Sequence, residues 1–171
     1  MNITFRKAIH TDIQEIVTLV AEAIQAMEAH RIFQWDDLYP TKEDFLEDIR
    51  KEELYVGMVH ERIAVIYALN QECDDAYHAV KWSLPESNYF TIHRLCVKPC
   101  FQGMGIAKQT LQHIENQISE NHILGIRLDV YSQNPNALAL YNHFGYQKVG
   151  HADWRKGRFF LMEKIFQLSH A

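Results

Sequence analysis

The chain has 171 residues, 47% hydrophobic and 23% charged, and carries a net charge of −5, which suits one globular domain spanning residues 1–171. No basic run gives a footprint for nucleic acid, no apolar stretch is long enough to span a membrane, and Met1–Lys7 lacks the apolar run of a secretory signal. Cys73, Cys96 and Cys100 are scattered, as are the histidines, so the expectation is a cytoplasmic protein with reduced thiols and no metal site.

The first segment, Ile3–Ala8, alternates like a strand. Thr11 reads as a helix N-cap with Gln14 as its capping-box partner, and Ile13, Ile16, Val17, Val20, Ile24 and Met27 then fall on one helical face. After an aromatic and acidic stretch from Phe33 to Pro40, Thr41–Lys51 reads as a second helix with Phe45, Leu46 and Ile49 inward. Leu54–Val59 and Ile63–Leu69 are strand-like, with Glu61-Arg62 as the hairpin turn between them. Asn70–Asn88 is a polar connection, either a strand edge or a loop over the site.

Phe90–Val97 is the next strand, closed by Lys98-Pro99. A loop with two glycines leads into a helix from Gly105 to about Asn121, with Ile106, Leu111, Ile114 and Ile118 on its apolar side. Ile126–Tyr131 is a strand. Asn134 and Pro135 start a helix as N-cap and first helical residue, and Gly145 ends it. Gln147–Gly150 and Arg158–Phe166 are the last strands, paired antiparallel through 153–157. Helices alternate with strands only in the middle of the chain, which predicts a mixed sheet with helices on both faces.

Gly103 and Gly105 stand between a strand and a helix. Glycines let backbone N–H groups approach an anion closely, and a helix N-terminus adds unpaired donors and partial positive charge. A tight strand-to-helix turn explains the two glycines equally well. A dinucleotide fingerprint fits less well: Lys108 occupies its third glycine position, and Asp129 lies inside a strand instead of at its end.

Two longer patterns resolve the choice. His93–Ala107 (HRLCVKPCFQGMGIA) resembles the central motif of the GNAT superfamily of N-acetyltransferases, in which Gln/Arg-x-x-Gly-x-Gly/Ala follows a strand and a proline; Gln102, Gly105 and Ala107 fill the defined positions. Leu128–Tyr146 resembles the second motif of that family, a strand, an Asn, an Ala, then Tyr-x-x-x-Gly-Phe/Tyr. The match is strongest over residues 91–150. The resemblance implies a GNAT-like α/β fold: a mixed, mostly antiparallel sheet with a splayed parallel strand pair.

It also implies roles. The backbone of Leu95, Cys96 and Val97 would hold the pantetheine arm of acetyl-CoA, with the Leu95 N–H polarising the thioester carbonyl. The N–H groups of Gln102, Gly103, Met104, Gly105, Ile106 and Ala107 would bind the pyrophosphate, and Lys108 would add charge. Asn134 would bond the cofactor arm, although a plain N-cap accounts for it too. Tyr141 resembles the family tyrosine that protonates the departing thiolate; otherwise it is a packing residue beside Phe144 and Tyr146. Some members place a Glu where this chain has Thr91, which cannot act as a base. His93 is one candidate to deprotonate the amine, and a water chain is the other; a packed or exposed strand histidine accounts for His93 as well. Cys96 alternates to the strand face opposite Leu95, which disfavours a covalent acyl-enzyme.

The resemblance places the acceptor groove near the first two helices, where Glu28, His30, Trp35, Asp36, Asp37 and Tyr39 suit a cationic amine, with Tyr67, Trp82 and Trp154 as further candidates to line it; a solvated loop with two anchoring aromatics explains the same stretch equally well. The function implied is acetyl transfer from acetyl-CoA to a primary amine, on a small molecule or peptide, by direct attack through a tetrahedral intermediate. No metal, nucleic acid or membrane partner is expected, and the chain is expected as a monomer or homodimer. The alternative is an inactive acyl-CoA-binding sensor.

Overall fold

A computed structural model describes residues 2–84 and 88–166. The chain gathers into two compact units. One takes the chain up to Leu69 together with His93–Leu111, and the other takes Asn70–Ile92 and the residues from Gln112 onward.

In the first unit, β1 (Thr4–Lys7), β2 (Leu54–Val59) and β3 (Arg62–Asn70) form an antiparallel meander. The β2–β3 turn is His60-Glu61, one residue earlier than the sequence suggests, and both residues have positive φ, 47° and 61°. This backbone matches the twist of a two-residue hairpin. Helix α1 (Ile13–Ala29) does not begin at Thr11. A 3-10 turn, His10–Asp12, precedes it, and the Asp12 carboxylate accepts the Ile9 N–H at 2.8 Å while gripping Arg6 at 2.7 and 2.9 Å. The Thr11 hydroxyl loses because this carboxylate satisfies a backbone donor and a cation together.

Helix α2 (Lys42–Arg50) is capped by Thr41, whose hydroxyl accepts the Asp44 N–H while Asp44 answers to the Thr41 N–H. The apolar stripe of α1 buries Ile13, Ile16, Leu19, Val20 and Ala23 against Phe45, Leu54, Val56, Ile66 and Cys96. A second cluster on the other sheet face joins Val59, Ala64, Val65 and Ile106 with Phe5, Leu95, Val97 and Phe101.

β4 (Tyr89–Val97) lies beside β3, and its first half belongs to the second unit. It pairs in parallel with β5 (Gly125–Tyr131) from Tyr89↔Gly125 to Ile92↔Leu128, where the register ends. The crossover is helix α3 (Ile106–Glu120), which buries Ile106, Leu111, Ile114 and Ile118 as its periodicity predicts. Helix α4 (Pro135–His143) follows β5, and β6 (Gln147–Trp154) and β7 (Gly157–Ile165) close the chain as a hairpin turning at Arg155-Lys156. β6 runs four residues beyond the predicted Gly150. The strand order is β1-β2-β3-β4-β5-β7-β6, with β4–β5 its parallel pair. A doubly wound dinucleotide sheet is therefore excluded, and the mixed, mostly antiparallel expectation holds.

The Asn70–Asn88 connection contains a 3-10 helix, Asp75–Ala79, and residues 85–87 of it lie outside the described residues. Arg127 of β5 anchors it: the guanidinium lies 3.4 Å from the Tyr89 ring centroid and 4.4 Å from that of Trp82, and donates to the Leu84 carbonyl. Ser83 donates from its N–H and hydroxyl to Glu163 of β7.

Candidate functional site

The glycine loop belongs to the first unit. Pro99–Phe101 makes a 3-10 turn after β4, and Gly103 and Gly105 follow with φ 75° and 78°. Both values lie in the left-handed region that disfavours any residue with a Cβ. A Cβ at Gly103 would meet nothing within 4 Å, and one at Gly105 only the Gln109 side chain at 3.9 Å. Backbone angle, and not crowding, therefore demands glycine here. The first hydrogen bond of α3 in this stretch runs from the Gln109 N–H to the Gly105 carbonyl at 3.0 Å. Helix geometry leaves the N–H groups of Ile106, Ala107 and Lys108, ahead of it, without an intrahelical acceptor. Unpaired N–H groups at a helix N-terminus are the kind of donor an anion such as a pyrophosphate takes.

Gln102 has structural bonds of its own. Its N–H donates to the Pro99 carbonyl at 3.1 Å, and its side-chain Nε2 donates to the Val97 carbonyl at 3.1 Å. Gln102 thus braces the loop against the end of β4.

On β4, Leu95 and Val97 face one cluster and Cys96 the other, as alternation predicts. Cys96 is buried, and burial pushes its thiol up to about 12, so it is protonated and enclosed, unlike an acyl-accepting nucleophile. The alternation does not extend to His93. Arg94 has φ 54°, which interrupts the pleat, so His93 cannot be assigned to the Leu95 face by counting. His93 itself is half-buried. Thr91 is fully buried, and its hydroxyl carries no hydrogen bond among the described residues.

The second unit holds Asn134 and Tyr141. The Asn134 side-chain oxygen accepts the Ala137 N–H at 3.1 Å, so the N-cap is real, and Pro135 takes the first helical position. Tyr141 is buried on α4, edge-on to Tyr146 with ring centroids 5.6 Å apart. Its phenol is pushed well above the ordinary range, first by burial and then by the charge of Asp129. Asp129 sits in the middle of β5 and accepts a hydrogen bond from the Tyr77 hydroxyl at 2.8 Å. Sequence reasoning weighed Asp129 only as a dinucleotide acid and missed Tyr77, because residues 52 positions apart give no spacing signal.

On the acceptor side, Trp35 is buried in the core of the first unit, so it anchors the loop instead of lining an open groove. Tyr67 is also fully buried, stacked on Tyr55 at 5.1 Å. Phe33, Leu38 and Tyr39 are the large exposed apolar side chains of the α1–α2 stretch. In the second unit Trp82 donates to the Tyr77 carbonyl and Trp154 to Asp74.

The model of the acetyltransferase (GNAT) domain matches residues 20–166, which includes the glycine loop, Asn134 and Tyr141. The chain belongs to the GNAT acetyltransferase family. A GNAT-family acetyltransferase from Streptococcus agalactiae 2603 is 26% identical, with a TM-score of 0.84 over 96% of each chain. The PaiA N-acetyltransferase of Thermoplasma acidophilum, solved in complex with coenzyme A, has a TM-score of 0.71 at 20% identity over 97% of this chain and all (100%) of that one. The ribosomal-protein-S18-alanine N-acetyltransferase of Escherichia coli has a TM-score of 0.70 at 14% identity over 99% of each chain. Searched by sequence, no curated protein matches this GNAT chain. Among its described residues no helix is long and apolar enough to cross a membrane, and no group of His, Cys, Asp or Glu is placed to hold a metal ion.

Proposed function

We propose that this GNAT protein transfers an acetyl group from acetyl-CoA to a primary amine by direct attack. The observation that carries the reading is the Gly103–Lys108 cradle, whose two left-handed glycines open onto the N-terminus of α3. In this reading the cradle binds the pyrophosphate, the backbone of Leu95, Cys96 and Val97 holds the pantetheine arm, and Asn134 contributes to that arm. The Leu95 N–H stabilises the oxyanion as the amine nitrogen bonds to the thioester carbon. The carbon–sulfur bond then breaks, and Tyr141 gives its proton to the sulfur. The amine gives its own proton to His93 or to water.

Burial and the Asp129 charge hold the Tyr141 phenol in its protonated form and weaken it as an acid. In this reading the thiolate leaves into equally desolvated surroundings, which raise its basicity too, so the proton still passes to sulfur. Asp129, held by Tyr77, is thus part of the machinery in this reading. The acceptor is a small-molecule or peptide amine, drawn to the exposed Tyr39 and the acidic residues Asp36 and Asp37.

The test has two steps. CoA and acetyl-CoA should stabilise the protein in a thermal-shift titration, and NAD and ATP should not. A panel of amines is then screened for thiol release, with Tyr141→Phe as the control. Stabilisation by CoA with no amine accelerating thiol release, in either protein, would replace transfer with a sensor role, which the Thr91 substitution favours. No stabilisation by CoA would end the reading altogether.

A further inference from the structure

β4 contains a residue whose backbone is out of keeping with its type. Arg94 has φ 54°, where a Cβ is strained, and it lies in the middle of a strand. It stands between Ile92, the last β4 residue in register with β5, and Leu95, which packs with Val97 and Ile106. A left-handed residue inside a strand acts as a bulge and re-aims the N–H groups that follow it.

Its side chain is unusually well held. The guanidinium forms an ion pair with Asp48 of α2, and the two side chains are only 15% and 9% exposed. It also lies over the Tyr39 ring, 5.4 Å from the centroid. Burial raises the Asp48 pKa, while the charge and hydrogen bond of Arg94 pull it down, so the carboxylate depends on this partner. Asp44 and Glu53 face Asp48 as like charges and sharpen that dependence. A buried pair adds little net stability compared with apolar side chains, but it holds one geometry against others.

We infer that Asp48 is a positioning residue: by pinning the Arg94 side chain it keeps Arg94 left-handed and so fixes the direction of the Leu95 N–H. The inference rests on the role proposed above for Leu95. Asp48 touches no reacting atom and acts only through Arg94.

Glycine adopts φ 54° without strain, so at position 94 it needs no anchor. This separates backbone direction from side-chain charge. Acetyl-CoA affinity of the full chain is measured by calorimetry for Arg94→Gly, Arg94→Ala, Asp48→Asn and Asp48→Asn/Arg94→Gly. Arg94→Ala and Asp48→Asn should bind acetyl-CoA about tenfold more weakly or worse, while the Arg94→Gly and double variants should stay within about threefold of wild type. Equal affinities for Arg94→Ala and Arg94→Gly would overturn the inference, as would a double variant no better than Asp48→Asn. Should Asp48→Asn fail to fold, the Ala and Gly pair at position 94 decides alone. Wild-type protein that binds no CoA would instead refute the function proposed above.

Discussion

Gly105→Ala isolates the backbone requirement of the cradle. The added Cβ meets only the Gln109 side chain at 3.9 Å, so steric repulsion is negligible. What remains is the cost of an L side chain at φ 78°, about 1–2 kcal/mol. If the loop keeps its shape, that cost appears as lost stability in chemical denaturation. If it relaxes to negative φ, stability is recovered and the N–H groups turn away from the anion. The same energy then appears as CoA affinity roughly 5- to 30-fold weaker. Denaturation and calorimetry on one preparation should therefore show losses that together reach about 1–2 kcal/mol. A variant matching wild type in both would refute the claim that the cradle requires a left-handed residue at 105.

Three further outcomes are expected. Tyr141→Phe should lower the thiol-release rate by about 100-fold or more, with CoA affinity nearly unchanged; an unchanged rate would remove Tyr141 from the chemistry. Tyr67, Tyr77, Tyr141 and Tyr146 all have folded pKa values raised by burial, so their contribution is complete below about pH 10 and lost as pH rises further. Asp12 is the opposite case: its hydrogen bond to Arg6 lowers its pKa, so its contribution is lost as pH falls below about 4. Melting temperatures from pH 3 to 11 should fall at both ends, and a flat alkaline limb would contradict the tyrosine burial. Finally, iodoacetamide should label the exposed Cys100 in the native protein and leave the buried Cys96 untouched until denaturant is added, as peptide mapping will show.

The elements were legible where periodicity and caps were strong. Ile106, Leu111, Ile114 and Ile118 marked the buried side of α3, and Asn134-Pro135 marked the start of α4. The glycine loop was legible too, because φ above zero leaves a mark on composition. Arg94 left no such mark: its side chain is held by Asp48, 46 positions away, and no local propensity announces its positive φ. The same holds for Tyr77 and Asp129. The start of α1 was misread because Thr11 and Gln14 have the right types for a capping box, while Asp12 takes the Ile9 N–H and Arg6 at once. The reach of the Gln102 side chain back to Val97 was not legible either, because motif position does not encode it.

The clasp on the connection between β3 and β4 has a consequence for proteases. Lys81 is exposed and offers trypsin a cleavable bond. Yet Tyr77, Trp82, Ser83 and Leu84 around it are tied to Asp129, Arg127 and Glu163 on the sheet. Cutting there requires several residues on each side of the bond to peel away into the enzyme's groove, which means giving up these ties together. The described part of this connection, without strand or long helix, is thereby harder to digest than its irregular backbone suggests, and trypsin becomes a gauge of how tightly Arg127 is gripped.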